Sequence, residues 1–162
     1  MPDSRDRTRE AALRILERRR RTRAEVEQKL REKGFEPADI QAVCDRLEEV
    51  NLLDDREYAR LYLQGRASRP RGSRLLLLEL RRKGVPEPVA LEALAALEGE
   101  GGRGGADLER ALVLARQSAR KVAGLPPREA RQKLFQALAR RGFDIDTIEA
   151  AVRAALARPD PA

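Results

Sequence analysis

The chain has 162 residues, with 34 Lys or Arg against 27 Asp or Glu and a formal net charge of +7. Charged residues make up 38% and aromatic residues 3%, and there is no Trp and no His. A large two-faced sheet and any imidazole-based catalysis or metal binding are thereby excluded. The single cysteine, Cys44, permits no intrachain disulfide, and the start MPDSRDRTRE is polar with no apolar signal core. No apolar stretch approaches the roughly 18 residues of a membrane span. These features lead us to expect a soluble cytoplasmic chain.

Ala, Leu, Arg and Glu dominate, all good helix formers. A first helix is predicted from Arg5 to about Arg19. Thr22 with Glu25 then forms a Thr-x-x-Glu capping box at the start of a second, whose apolar face carries Val26 and Leu30 and which stops at Gly34. Pro37 suits the opening of a third, with Ile40, Val43, Cys44 and Leu47 spaced 3-1-3 on one face. Asp54 and Glu57 form the next box, on a helix running to about Ala67. A helix bearing Leu76 and Leu80 stops at Gly84, and the next presents Ala90, Ala93, Leu94 and Leu97. The last three helices run from Asp107 to about Lys121, from Pro127 through Leu134 and Leu138 to Gly142, and then along Ile148, Ala151, Val152 and Ala155.

Superposing Gly34, Gly84 and Gly142 therefore aligns three units of three helices. Each glycine is the expected left-handed helix stop, with Phe35, Val85 or Phe143 behind it as a hydrophobic contact and Lys33, Lys83 or Arg141 before it at the negative end of the dipole. The expected organisation is all-α: repeat 1 over 4–52, repeat 2 over 53–98, a Gly-rich linker at 99–106 acting as a flexible joint, and repeat 3 over 107–158. Stacked repeats of this kind are expected to form an elongated, curved helical array.

Chemistry-bearing motifs are few. Residues 99–104 match G-x-G-x-x-G literally but follow an Ala/Leu helix, and a dinucleotide fingerprint needs a strand there. No phosphate-binding G-x-x-x-x-G-K-[ST] loop and no G-x-S-x-G elbow occurs. The pairs Asp54/Asp55 and Asp144/Asp146 lie at helix starts, where capping explains them better than a divalent ion. Cys44, among Val43 and Leu47, reads as a small core residue. No catalytic residue, metal site or cofactor is expected.

Charge is uneven. Residues 1–23 carry +5, 24–55 carry −6, 56–84 carry +7, 85–106 carry −3 and 107–162 carry +4. Runs of arginine around helix turns suit phosphate or carboxylate, which guanidinium binds bidentately. The candidate anion-binding residues are Arg18, Arg19 and Arg21 in the first unit; Arg66, Arg69, Arg71, Arg74, Arg81, Arg82 and Lys83 in the second; and Arg140 and Arg141 in the third. Tyr58, Tyr62, Phe35 and Phe143 fall at packing positions, so a base-stacking platform is missing.

The runs ALRILERRRRTRAEVEQKLREKGF (12–35), LEEVNLLDDREYARLYLQGR (47–66) and RPRGSRLLLLELRRKGV (69–85) resemble the bacterial RecX family, and the pattern extends to about Leu156. The resemblance implies a cytoplasmic protein of three tandem three-helix repeats. It also implies RecA as partner, bound in the groove of its filament on single-stranded DNA, with filament growth, ATP hydrolysis, strand exchange and the DNA-damage response restrained. The Gly-rich insertion and the arginine excess depart from the family pattern. A monomer without membrane attachment is expected. The alternative is a helical module that binds single- or double-stranded DNA directly, without sequence readout.

Overall fold

The computed structural model describes residues 1–157. The expected end of the third repeat, residue 158, lies outside the described residues. Nine α-helices and one short 3-10 turn make up the described chain: α1 (Ser4–Arg18), α2 (Arg23–Glu32), α3 (Pro37–Glu49), α4 (Asp55–Gly65), α5 (Ser73–Arg82), α6 (Glu87–Glu98), the 3-10 turn (Gly99–Gly101), α7 (Gly102–Val122), α8 (Pro127–Ala139) and α9 (Ile145–Leu156). No strand occurs among the described residues.

Two compact units result, one formed by Met1–Tyr62 with Glu79–Ala93, the other by Leu63–Leu78 with the described residues from Leu94 to 157. In the first, α1, α2 and α3 bury Ala12, Ile15, Val26, Leu30, Ile40, Val43, Cys44 and Leu47 against one another. Complete burial of a leucine such as Leu30 stabilises by about 1.5–3 kcal/mol. In the second unit, α7, α8 and α9 do the same with Ala111, Leu114, Leu134, Leu138, Phe143, Ile148 and Val152.

Gly34, Gly84 and Gly142 all end helices with positive φ, at 84°, 87° and 83°. At the first two the stop is a Schellman turn: Gly34 N–H donates to Arg31 O and Phe35 N–H to Leu30 O, and Gly84 N–H donates to Arg81 O and Val85 N–H to Leu80 O. Helix starts are equally local. Thr22 and Glu25 form both halves of the capping box, and Pro37 and Pro127 open α3 and α8. Asp54 accepts from Glu57 N–H at 3.1 Å, whereas the Glu57 carboxylate turns to Arg60.

Two expectations are corrected. α7 begins at Gly102, five residues before Asp107, so Gly104 and Gly105 are helical. Each glycine costs a helix about 1 kcal/mol, but the buried face through Asp107, Ala111, Leu114 and Ala115 holds the remainder of α7 in place and lets the helix extend backward. Leu97, expected in the core, is 46% exposed, since it lies on the last turn of α6, where the chain leaves into the 3-10 turn.

Asp107 is itself buried. It accepts from Ser73 N–H at 2.9 Å, at the N-terminus of α5, and shares Arg110 with Glu98. A carboxylate is tolerable there because a backbone donor, the α5 dipole and a guanidinium all meet it.

Candidate binding grooves

The arginines of the first unit divide by what they face. Arg23, on the first turn of α2, meets three carboxylates: Glu27 at 2.7 Å, Asp45 at 2.8 Å and Glu48 at 2.9 Å. Burial by itself favours loss of its proton, but hydrogen bonds to Glu27 and Asp45 and the charge of Glu48 outweigh that and raise its pKa further. Its backbone N–H donates to Asp55 at 2.9 Å. Burial pushes the Asp55 carboxyl up, with that hydrogen bond opposing. Arg23 thus ties α2 to α3. Arg21 pairs with Glu25 at 3.3 Å, and the exposed Arg19 stands 3.9 Å from the same carboxylate.

Several cations, Arg21 among them, also face a groove. Between α1 and α2, Arg14, Arg18, Arg21, Lys29 and Lys33 line a depression of about 360 Å³ whose apolar floor includes Ile15, and no acidic residue lines it. In the second unit, between α7 and α8, Lys121, Lys133, Arg140 and Arg141 line one of about 660 Å³ over Leu114 and Leu134, again without an acidic residue. Lys133 stands 3.8 Å from Glu129, itself outside the groove lining.

Of the residues singled out by sequence, Arg18 and Arg21 thus reach the first groove, and Arg140 and Arg141 the second. Arg69, Arg74, Arg81 and Arg82 are exposed on or beside α5. Arg66 and Arg71 are half-buried and engaged within the chain. Lys83 is half-buried at the end of α5, where its carbonyl oxygen accepts from the Thr22 hydroxyl at 2.6 Å. Arg14 and Lys29 lie outside the dense basic runs of the sequence. Their signal is helical spacing, with Arg14 and Arg18, and Lys29 and Lys33, one turn apart on facing helices.

Both grooves are suited to holding anions through charge-assisted hydrogen bonds. No cluster of three or more potential metal-ligating residues occurs among the described residues. Cys44 is fully buried and its thiol is pushed up to about 11, chiefly by burial, so it is no nucleophile at neutral pH. No described helix is long and apolar enough to cross a membrane.

Comparison with known proteins assigns each trio of helices. Residues 9–47 match the first three-helix domain of RecX, 54–94 the second and 106–152 the third. The chain belongs to the RecX family. The regulatory protein RecX of Mycolicibacterium smegmatis is 39% identical over 138 residues, covering 82% of this chain and 70% of the relative. RecX of Halorhodospira halophila is 37% identical over 149 residues, 91% of this chain and 87% of that protein. The crystal structure of RecX from Lactobacillus salivarius superposes with a TM-score of 0.82 at 27% identity, covering 96% of this chain and 98% of that one. RecX relatives are named regulatory proteins.

Proposed function

We propose that this RecX-family chain binds the RecA recombinase filament on single-stranded DNA and restrains its ATP hydrolysis and strand exchange, acting as a cytoplasmic monomer without bond-making chemistry of its own. The observation that carries this reading is the pair of cation-lined, acid-free grooves, one in each unit, on a chain whose relatives are regulatory proteins. Linked modules making several modest charged contacts gain avidity when geometry lets them engage together, and charge steers them to their partner. The test is RecA's DNA-dependent ATPase during titration with the purified chain. Inhibition that saturates as the filament fills is expected, and undiminished hydrolysis on a filament saturated with the chain defeats the proposal.

Direct DNA binding is the second reading, favoured by the exposed Arg69, Arg74, Arg81 and Arg82 around α5. Affinity driven by phosphate contacts falls steeply with salt. Tight binding to naked DNA with that steep dependence, and no preference for the RecA-coated strand, favours this reading over the first.

A further inference from the structure

We propose that the α1/α2 and α7/α8 grooves are a matched pair of sockets, each taking an acidic peptide segment that also carries an apolar side chain. The proposal deepens the reading above by naming what the partner presents, and rests on it only for the partner being a protein.

The two grooves occupy equivalent places. On the first helix of each pair the lining residues are Ala11, Arg14, Ile15 and Arg18 in one and Leu114, Gln117, Ser118, Lys121 and Val122 in the other, each with a cation toward its C-terminal end. On the second helix, Lys29 and Lys33 stand five and one residues before Gly34, and Ala137 and Arg141 stand five and one before Gly142. Repeats 1 and 3 thus each line the cleft between their first two helices with cations, sharing the one just before the glycine and differing at most other lining positions.

The middle repeat differs at the first of these two positions. Its corresponding positions before Gly84 are Glu79 and Lys83, and Glu79 accepts a hydrogen bond from the Tyr62 hydroxyl at 2.9 Å. That repeat places a carboxylate where the first has Lys29 and the third has Ala137. Like charges gathered in a cleft repel, and an incoming anion relieves the repulsion while gaining charge-assisted hydrogen bonds.

The floor decides which anion. Ile15 lies under the first set of cations, and Leu114 and Leu134 under the second. A phosphodiester backbone has nothing apolar to place there, and neither lining includes an aromatic ring on which a base could stack. A segment that alternates Asp or Glu with an aliphatic residue satisfies both surfaces.

The experiment measures binding of the full chain to two fluorescein-labelled peptides of equal length and charge, one alternating Glu with Leu and one Glu with Ser, and to labelled oligothymidylate, with RecA ATPase inhibition followed on the same preparations. The Glu/Leu peptide is expected to occupy two sites per chain and to bind about tenfold more tightly than the Glu/Ser peptide, because leucine burial adds to charge pairing. Replacing Arg14, Arg18 and Lys33 with Gln is expected to remove one site, and replacing Lys121, Lys133 and Arg140 with Gln the other. The Arg81→Gln/Arg82→Gln variant is expected to keep both, and far-UV circular dichroism verifies that each variant is folded. Equal affinity for the two peptides, absence of peptide binding, or groove variants that lose only oligothymidylate overturns the proposal. Peptide sockets without RecA inhibition leave the sockets standing and defeat the RecA reading, and inhibition without peptide binding does the reverse.

Discussion

The backbone N–H of Gly72 donates to the carbonyl oxygen of Arg141 at 2.8 Å, seating the start of α5 on the turn that ends α8. The Thr22 hydroxyl does the same for α2, donating to the carbonyl oxygen of Lys83 in the turn that ends α5. Beside each lies an acid from the first helix of the following repeat: Asp55 accepts from Arg23 N–H, and Asp107 accepts from Ser73 N–H. One joint is thus built twice, a helix start set on the glycine turn of the next repeat and secured by a carboxylate. Each joint satisfies backbone groups that a helix end otherwise leaves to water.

Substitution of the three turn glycines separates the joint from the turn. A Cβ at Gly84 would overlap that of Ala24, and one at Gly142 would overlap that of Leu75, whereas Gly34 has open space. Gly34→Ala is expected to cost only the left-handed backbone strain, about 1–2 kcal/mol. Gly84→Ala and Gly142→Ala are expected to cost at least about 1–3 kcal/mol more through steric overlap. Urea unfolding of the three variants checks this, and equal losses count against the joint.

Asp107 is expected to be the most sensitive polar position of the second unit. Asp107→Ala leaves the Ser73 N–H and the Arg110 guanidinium without their shared carboxylate. Glu98 still faces Arg110, so the cost is chiefly that of a buried donor left unsatisfied, about 1–3 kcal/mol. Thermal unfolding compared with an exposed control such as Asp146→Ala measures it.

Cys44 is expected to be silent to thiol reagents in the native state. It is fully buried, and its thiol is held mainly protonated by burial. An aromatic disulfide reagent should titrate no thiol until denaturant is added and then one per chain. Prompt native reaction would show that the first core opens readily.

Asp144 caps α9 by accepting from Thr147 N–H at 2.8 Å, a bond that holds its carboxyl below the usual range. Because the folded value is lowered, the stabilisation is present above the unfolded pKa and is lost as pH falls through the folded one. Asp144→Ala is expected to cost about 1 kcal/mol near neutral pH. The gap from the parent chain should shrink in acid once the carboxyl is protonated, as thermal melts across pH will report.

The fold was legible because its rules are local. A 3-1-3 apolar face, a capping box at Thr22 and a glycine stop at Gly34 each act within about two turns of helix, and repetition around Gly84 and Gly142 reinforced them. The start of α7 was not, because three glycines argue against a helix locally while the buried face that sustains it lies downstream. The grooves were only partly legible. Density along the chain draws attention to Arg18–Arg21, yet Arg23, in the same run, is enclosed by carboxylates from α2 and α3. Which cation meets an acid and which faces a cleft depends on helix pairing, and pairing is tertiary. Arg14 and Lys29 show the converse: each stands one helical turn from Arg18 or Lys33, and the two pairs come together only once α1 and α2 pack.

Both cationic grooves are proposed to hold the chain on a RecA filament. The most direct measurement is the affinity of the labelled chain for RecA assembled on single-stranded DNA, beside the same DNA alone, for the parent and for a variant with Arg14, Arg18, Lys121 and Arg140 replaced by Gln. The account expects the parent to prefer the filament and the folded variant to lose at least about tenfold in affinity, a modest figure for four charge-assisted contacts. A variant that binds the filament as tightly as the parent, or a parent that binds coated and bare DNA alike, contradicts it.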